Sequence, residues 1–327
     1  LSAIQYKLPN GMNVILSPRS TAPVVAVNVW VGVGSADETP AEAGLAHVHE
    51  HMLFKGTKRR GVGEVAMEVE GSGGYINAFT SFDQTCYYVV MSSRFLEKGI
   101  DILADVIQNS EFETDELGRE LEVIQEEIKR GIDDPQRVAT QCLFDVSYTK
   151  HPYKLPVIGT KESVDSFERK DVLNFFQKHY VPENMTLVLA GDFEVESVKR
   201  IIADQFIGKQ VSYSRTTRET EPAQKETRVG IQTKDLSESH LRVGFHIPDI
   251  LHDDIPALDV LSVILGSGEV STLHQKMVRT EKIATSAGAG AYTPKDAGIF
   301  LGVADYQLNG EREHEDLLQS LLEVFWE

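Results

Sequence analysis

Residues His47-Val48-His49-Glu50-His51 place two imidazoles and a carboxylate within little more than one helical turn. On a helix, His47 and His51 are four apart and leave the same face. Glu50 is three after His47 and borders that face. Two neutral imidazoles are ligands for a catalytic zinc, and an adjacent carboxylate is a base for a water held beside it. The order is HxxEH, the HExxH zinc motif reversed, and it points to metal-assisted peptide hydrolysis. With ten His in the chain, a lone HxxxH would be a weak signal. Here Leu45, Val48, Met52 and Leu53 surround the polar set, as on a half-buried helix that turns its polar groups into a cleft. His49 projects roughly 200° away from His47. It is a poor co-ligand and reads as a residue beyond the ligands or on the surface.

Two imidazoles need a third protein ligand. The segment Thr114 to Gly131 reads as a strong helix, with an acidic start (Asp115, Glu116) and a basic end (Lys129, Arg130) closed by Gly131. Its carboxylates are Asp115, Glu116, Glu120, Glu122, Glu126 and Glu127. Glu120 and Glu127 are seven apart and share a face, beside an apolar stripe of Leu121, Ile124 and Ile128. Most acids on such a helix are solvated, and the residues by themselves leave all six open.

The run GLAHVHEHMLFKGT, followed downstream by EVIQEEIKRGIDDP, resembles the pitrilysin, insulin-degrading enzyme and mitochondrial processing peptidase family, the inverzincins. The resemblance extends from Tyr6-Lys7-Leu8-Pro9-Asn10-Gly11 to Leu189-Ala190-Gly191-Asp192-Phe193, and it is to the branch of short two-domain subunits. It implies one zinc per chain, held by His47, His51 and Glu127. It also implies Glu50 as the general base and Glu120 as the acid supporting the site. Relatives pair an Asn-Ala-Phe-Thr strand with the substrate backbone, which carries over to Asn77, Ala78, Phe79 and Thr80. Such β-augmentation holds an extended peptide by main-chain hydrogen bonds. The preceding Gly71-Ser72-Gly73-Gly74 lacks the Lys-Ser/Thr and the leading strand of a phosphate loop. Active relatives also carry an Arg and, seven residues later, a Tyr that bind the substrate carbonyl. Arg279 keeps the first position; Ser286 stands at the second and lacks the reach and acidity of a phenol. The expectation is therefore a dimer with a homologous zinc-free subunit that supplies an Arg/Tyr pair.

The elements that must position these residues read as an α+β chain. Its 327 residues suggest two domains. A strand (Val24 to Val33), the histidine helix, a strand region (Tyr75 to Met91) and a helix (Arg94 to Gln108) occur in that order. Leu241 to Ile247, Ile255 to Leu265, Thr285 to Ala304 and Glu313 to Trp326 repeat it. The expected fold is two similar domains, each a mixed β-sheet with helices on one face, together a processing-peptidase-like half-clamshell. Residues 1–210 form the zinc-binding catalytic domain, 211–227 a polar linker, and 228–327 a second homologous domain. That domain has no zinc site, since its matching helix reads Pro256-Ala257-Leu258-Asp259-Val260-Leu261, and it looks incomplete.

The net charge of −18 argues against nucleic acid as partner and is compatible with basic peptide substrates. No apolar run approaches the length of a membrane span. Cys86 and Cys142 both sit in apolar surroundings and read as buried thiols. The first residue, Leu1, is consistent with a removed leader. The expected compartment is the periplasm, with the mitochondrial matrix and the cytoplasm as alternatives. The resulting reading is a zinc-dependent endopeptidase or oligopeptidase. Against it stand a catalytically silent scaffold resembling the core proteins of the cytochrome bc complex, and a metal-storage module. The first predicts degenerate motifs, and the second needs neither Glu50 nor a substrate strand.

Overall fold

A computed structural model describes residues 3–208, 210–307 and 314–326. Its strands are β1 (Ile4–Lys7), β2 (Asn13–Pro18), β3 (Val24–Val31), β4 (Tyr75–Thr80), β5 (Thr85–Ser92), β6 (Met185–Gly191), β7 (Ser239–Ile247), β8 (Ser286–Tyr292) and β9 (Gly298–Tyr306). Its helices are α1 (Leu45–Met52), α2 (Glu64–Glu70), α3 (Leu96–Asn109), α4 (Thr114–Asp133) and α5 (Pro135–Ser147). They continue with α6 (Lys161–Asp165), α7 (Arg169–His179), α8 (Val195–Gln205), α9 (Ile255–Gly266) and α10 (His314–Trp326). Two compact units result: Leu1–Ile128 with Leu155–Arg218, and Lys129–Lys154 with Glu219–Glu327.

This division does not follow the boundaries at 210 and 228 that the sequence suggests. Residues 129–154 fall in the second unit because α5 packs on β7. Phe144 of α5 meets Tyr292 edge-on at 5.7 Å, and Tyr148 meets His246 at 5.3 Å. Nor is 211–227 a loose tether. Arg215 and Arg218 pair with the buried Asp37 of the first unit, and Glu221 accepts from the backbone N–H groups of Thr149, Lys150 and His151 in the second. Gly131 does not end α4, which runs on to Asp133. It stops where Asp134 begins the next helix by accepting from Gln136 N and Arg137 N, with Pro135 in the first turn.

In the first unit a six-stranded sheet has the order β1-β2-β6-β3-β5-β4. It is mixed, with β2 and β6 parallel and the other pairs antiparallel. The alternation along β3 shows why it settles this way round. Val25, Val27, Val29 and Val31 are buried in one core with Val48 of α1, Ile100 and Leu103 of α3 and Phe175 of α7. Ala26, Asn28 and Trp30, on the opposite face, stay half-buried. The second unit has a three-stranded antiparallel sheet in the order β7-β9-β8. Its core joins Ile247, Phe300 and Ala304 to Leu265 of α9 and Leu321 and Val324 of α10.

The repeat is visible in the topology. The order β7-β9-β8 reproduces β3-β5-β4, α1 packs on β4 as α9 packs on β8, and α3 and α10 each follow the middle strand. Cys86 is buried and Cys142 half-buried, both as free thiols. Among the described residues no helix is long and apolar enough to cross a membrane.

Candidate active site

The site is built on two helices of the first unit. Helix α1 begins after Gly44, whose φ of 102° suits glycine; a Cβ there would also lie 2.8 Å from Ile158 O. The N-terminus of this helix is held by a residue outside it. The buried Glu38 carboxylate accepts from Gly44 N at 2.7 Å and Ala46 N at 2.6 Å. Burial pushes the Glu38 carboxyl well above its ordinary value, and those two N–H groups oppose the shift. Leu45, Val48 and Met52 anchor α1 in the core and set its rotation, so His47 and His51 share one face with ring centroids 4.7 Å apart.

Helix α4 presents the acids. Its buried Leu117, Ile124 and Ile128 fix its rotation. Glu120 and Glu127, two turns apart, are thereby brought to α1. Glu127 Oε2 lies 3.8 Å from His47 Nε2 and 3.8 Å from His51 Nε2. His51 Nδ1 donates to Glu120 Oε2 at 3.1 Å, which leaves Nε2 as the bare nitrogen on the Glu127 side. The other Glu120 oxygen receives Lys55 Nζ at 2.6 Å. His47, His51 and Glu127 each offer one ligand atom within 4.8 Å of the others, the one such group among the described residues. Zinc with bonds of about 2.0–2.2 Å wants its ligand atoms roughly 3.3–3.6 Å apart. The donor set and its convergence fit that ion, and the Glu120–His51 contact is the kind of carboxylate–imidazole pair that orients a zinc ligand.

Glu50 borders the same face. Thr80 lies beside it and donates from Oγ1 to Ala46 O at 3.4 Å. Burial raises the Glu50 carboxyl above the ordinary value, and Glu127 pushes the same way, while Thr80 and His51 oppose them. Thr80 ends β4, the outer strand of the sheet, which has β5 on one side and, among the described residues, no strand on the other. Along β4, Tyr75, Asn77 and Phe79 are exposed while Ala78 is buried. Asn77 Nδ2 donates to Tyr75 OH at 2.6 Å, and Phe79 stands edge-on to Trp30 at 5.5 Å.

His49 is not a surface residue. It is fully buried among Phe112, Phe175, Phe176 and Tyr180, with Nδ1 2.7 Å from Leu45 O and Nε2 2.9 Å from Val172 O. Burial pulls its pKa down to about 4 against the two carbonyls, which favour the charged ring, and its contacts with Leu45 O and Val172 O tie α1 to α7. Lys55 and Glu38 are the residues that reasoning from sequence misses. Lys55 lies in the turn just after α1, where helical spacing no longer applies. Glu38 carries no signal, because a capping carboxylate six residues before a helix has no periodic mark. Arg279 belongs to the second unit, where it is exposed and pairs with Glu269 at 2.6 Å. Ser286 Oγ donates to Asp305 Oδ2 at 2.8 Å.

Residues 13–161 match the family model described as insulinase (peptidase family M16), and residues 166–325 match the peptidase M16 inactive domain. An uncharacterised zinc protease of Bacillus subtilis is 30% identical over 90% of this chain and 72% of its own length. The zinc protease PqqE of Helicobacter pylori is 30% identical over 94% of this chain and 70% of its own. The crystal structure of a protease from Helicobacter pylori, 28% identical, superimposes with a TM-score of 0.95 over 99% of this chain and 79% of that one.

Proposed function

The chain belongs to the M16 (insulinase) family of peptidases, and on that premise we propose that it is a zinc-dependent endopeptidase or oligopeptidase acting on extended peptides. The observation that carries the proposal is the convergence of His47, His51 and Glu127, with Glu50 beside them at the end of an open-edged strand. Zinc, held by those three residues, would supply the Lewis acidity that brings a water's pKa to about 7 and polarises a carbonyl.

The rest of the mechanism belongs to the protein. Glu120 holds the His51 ring with Nε2 free to ligate. The open edge of β4 takes the substrate as an added strand, with Asn77, Ala78, Phe79 and Thr80 as its contacts. Glu50 accepts a proton from water as the water oxygen bonds to the scissile carbonyl carbon. It then delivers that proton to the amide nitrogen, and the C–N bond breaks. Thr80, the last residue of the substrate strand, lies beside Glu50 and favours its ionised form, so base and strand meet at one residue.

The same reading includes a homologous zinc-free partner subunit that supplies an Arg/Tyr pair to the substrate carbonyl, because Ser286 cannot replace a phenol. A silent scaffold would have no need of a complete ligand set with its supporting acid and base. The test is hydrolysis of a quenched, unstructured, basic peptide by the zinc-loaded protein and by Glu50→Gln. The variant should bind zinc equally and lose about 10²–10⁴-fold in rate. Equal rates would remove Glu50 as the base. A zinc-loaded wild type that cleaves only after a homologous subunit is added would support the partner.

A further inference from the structure

Beside the site, a loop, a turn and two distant arginines meet around buried charge. After β3 the loop 34–37 runs against the β4–β5 turn. Ser35 N donates to Ser81 O at 3.2 Å and Ala36 N to Phe82 O at 2.9 Å. The two backbones approach so closely that a Cβ on Gly34 would lie 2.4 Å from Ser81 O. Asp37 closes the loop at 2% exposure and receives both guanidiniums of a single short segment. Arg215 Nε reaches Oδ1 at 3.1 Å and Nη2 reaches Oδ2 at 3.0 Å. Arg218 Nε reaches Oδ1 at 3.2 Å and Nη2 reaches Oδ2 at 3.0 Å. The same arginines hold the turn: Arg215 Nη2 donates to Asp83 O at 3.0 Å, and Arg218 Nη1 pairs with the Asp83 carboxylate.

Two arginines thus join two aspartates, and each aspartate sits next to an element of the site. Asp37 precedes Glu38, whose carboxylate holds the N-terminus of α1. Asp83 lies in the turn that follows Thr80, whose hydroxyl donates to Ala46 O of α1 at 3.4 Å. Burial alone would raise the Asp37 carboxyl, but the two arginines outweigh it and its pKa stands below the ordinary value. A buried ion set of this kind holds geometry while complete and leaves an uncompensated charge when one member is removed.

We propose that Arg215 and Arg218 are positioning residues for the peptide site: by gripping Asp37 and Asp83 together they set the edge strand β4 against α1. A peptide added to β4 then arrives with its scissile carbonyl at Glu50. This inference rests on the peptidase reading for its substrate. It adds that a segment far downstream in sequence governs how tightly an extended peptide is held.

The test uses Arg218→Met, in which Arg215 still neutralises Asp37, and Asp83→Asn, which leaves both arginines on Asp37. Each is made in the wild type and in a Glu50→Gln background. Zinc affinity should stay within about twofold, since neither residue reaches a ligand. Hydrogen exchange of residues 75–85 should accelerate about tenfold while that of α3 is unchanged. A labelled, unstructured peptide should bind the Glu50→Gln background about tenfold more weakly with either change. Unchanged peptide binding and unchanged exchange, with only a lower melting temperature, would overturn the inference and leave the ion set a plain structural bridge. Weaker binding in a protein whose zinc-loaded wild type hydrolyses no peptide even with a homologous subunit added would uphold the clamp and remove the peptidase reading instead.

Discussion

Replacing Glu120 by Gln changes one functional group in a buried place, and its effect follows from two distances. One carboxylate oxygen lies 3.1 Å from His51 Nδ1 and the other 2.6 Å from Lys55 Nζ, in a residue 8% exposed. A carboxylate serves both donors, one on each oxygen. A primary amide has one accepting end and one donating end, so it can serve only one of them. The charge-assisted bond to the Lys55 ammonium takes the carbonyl oxygen, and the NH₂ group is left facing Nδ1. The imidazole then keeps its proton on Nε2, the atom that faces Glu127 and that a metal must use. Loss of such a supporting carboxylate weakens metal affinity 10–100-fold, about 1.4–2.7 kcal/mol. The assay is the zinc dissociation constant by chelator competition for wild type, Glu120→Gln, Lys55→Met and Glu127→Gln. Lys55→Met leaves both oxygens available to His51 and should stay within about threefold of wild type. Glu127→Gln removes a charge from the ligand set and should exceed the roughly 100-fold upper end for supporting residues. Zinc affinity within twofold of wild type for Glu120→Gln, or an equal loss for Lys55→Met, would refute the reasoning and reduce Glu120 to an ion-pair partner of Lys55.

His49→Leu should destabilise the first unit by about 1–3 kcal/mol, because the Val172 carbonyl loses its buried partner. Zinc affinity should not change, and a loss there would mean that His49 sets the metal geometry. Glu221 should make the second unit's stability depend on pH. Burial opposes its ionised form, but the N–H groups of Thr149, Lys150 and His151 and the Thr149 hydroxyl outweigh it and hold the carboxyl at about 2. With the folded value below the unfolded one, this contribution is present above about pH 4.5 and fades as pH falls towards 2; at pH 7 it is at most about 3 kcal/mol. The difference in urea unfolding between wild type and Glu221→Gln should be smaller at pH 3 than at pH 7 and vanish only below about pH 2, and an equal difference at pH 7 and pH 3 would disprove the linkage.

What could be read in the sequence is what helical spacing enforces. His47 and His51 must share a face at four residues, and Glu120 and Glu127 must share one at seven, whatever surrounds them. The choice among the six acids of α4 is different in kind. It depends on the rotation that Leu117, Ile124 and Ile128 impose once buried, and only the resemblance supplied it beforehand. His49 shows the limit from the other side. Its direction, away from His47, follows from periodicity and is right. That this direction leads into the protein depends on Val172, 123 residues on, and on the aromatic rings of α7. The stretch 211–227 fails in the same way. Ser, Thr, Glu and Arg read as solvated linker, yet Arg215 and Arg218 meet Asp37 across 178 and 181 residues. Apolar residues leave a periodic trace because a whole face must be buried together. A polar residue is buried singly, by one partner at long range, and leaves none. The residues that a chain of this kind conceals are therefore its isolated buried charges, and Glu38 and Asp37, adjacent to each other and next to the start of α1, are where that concealment bears most on the proposed function.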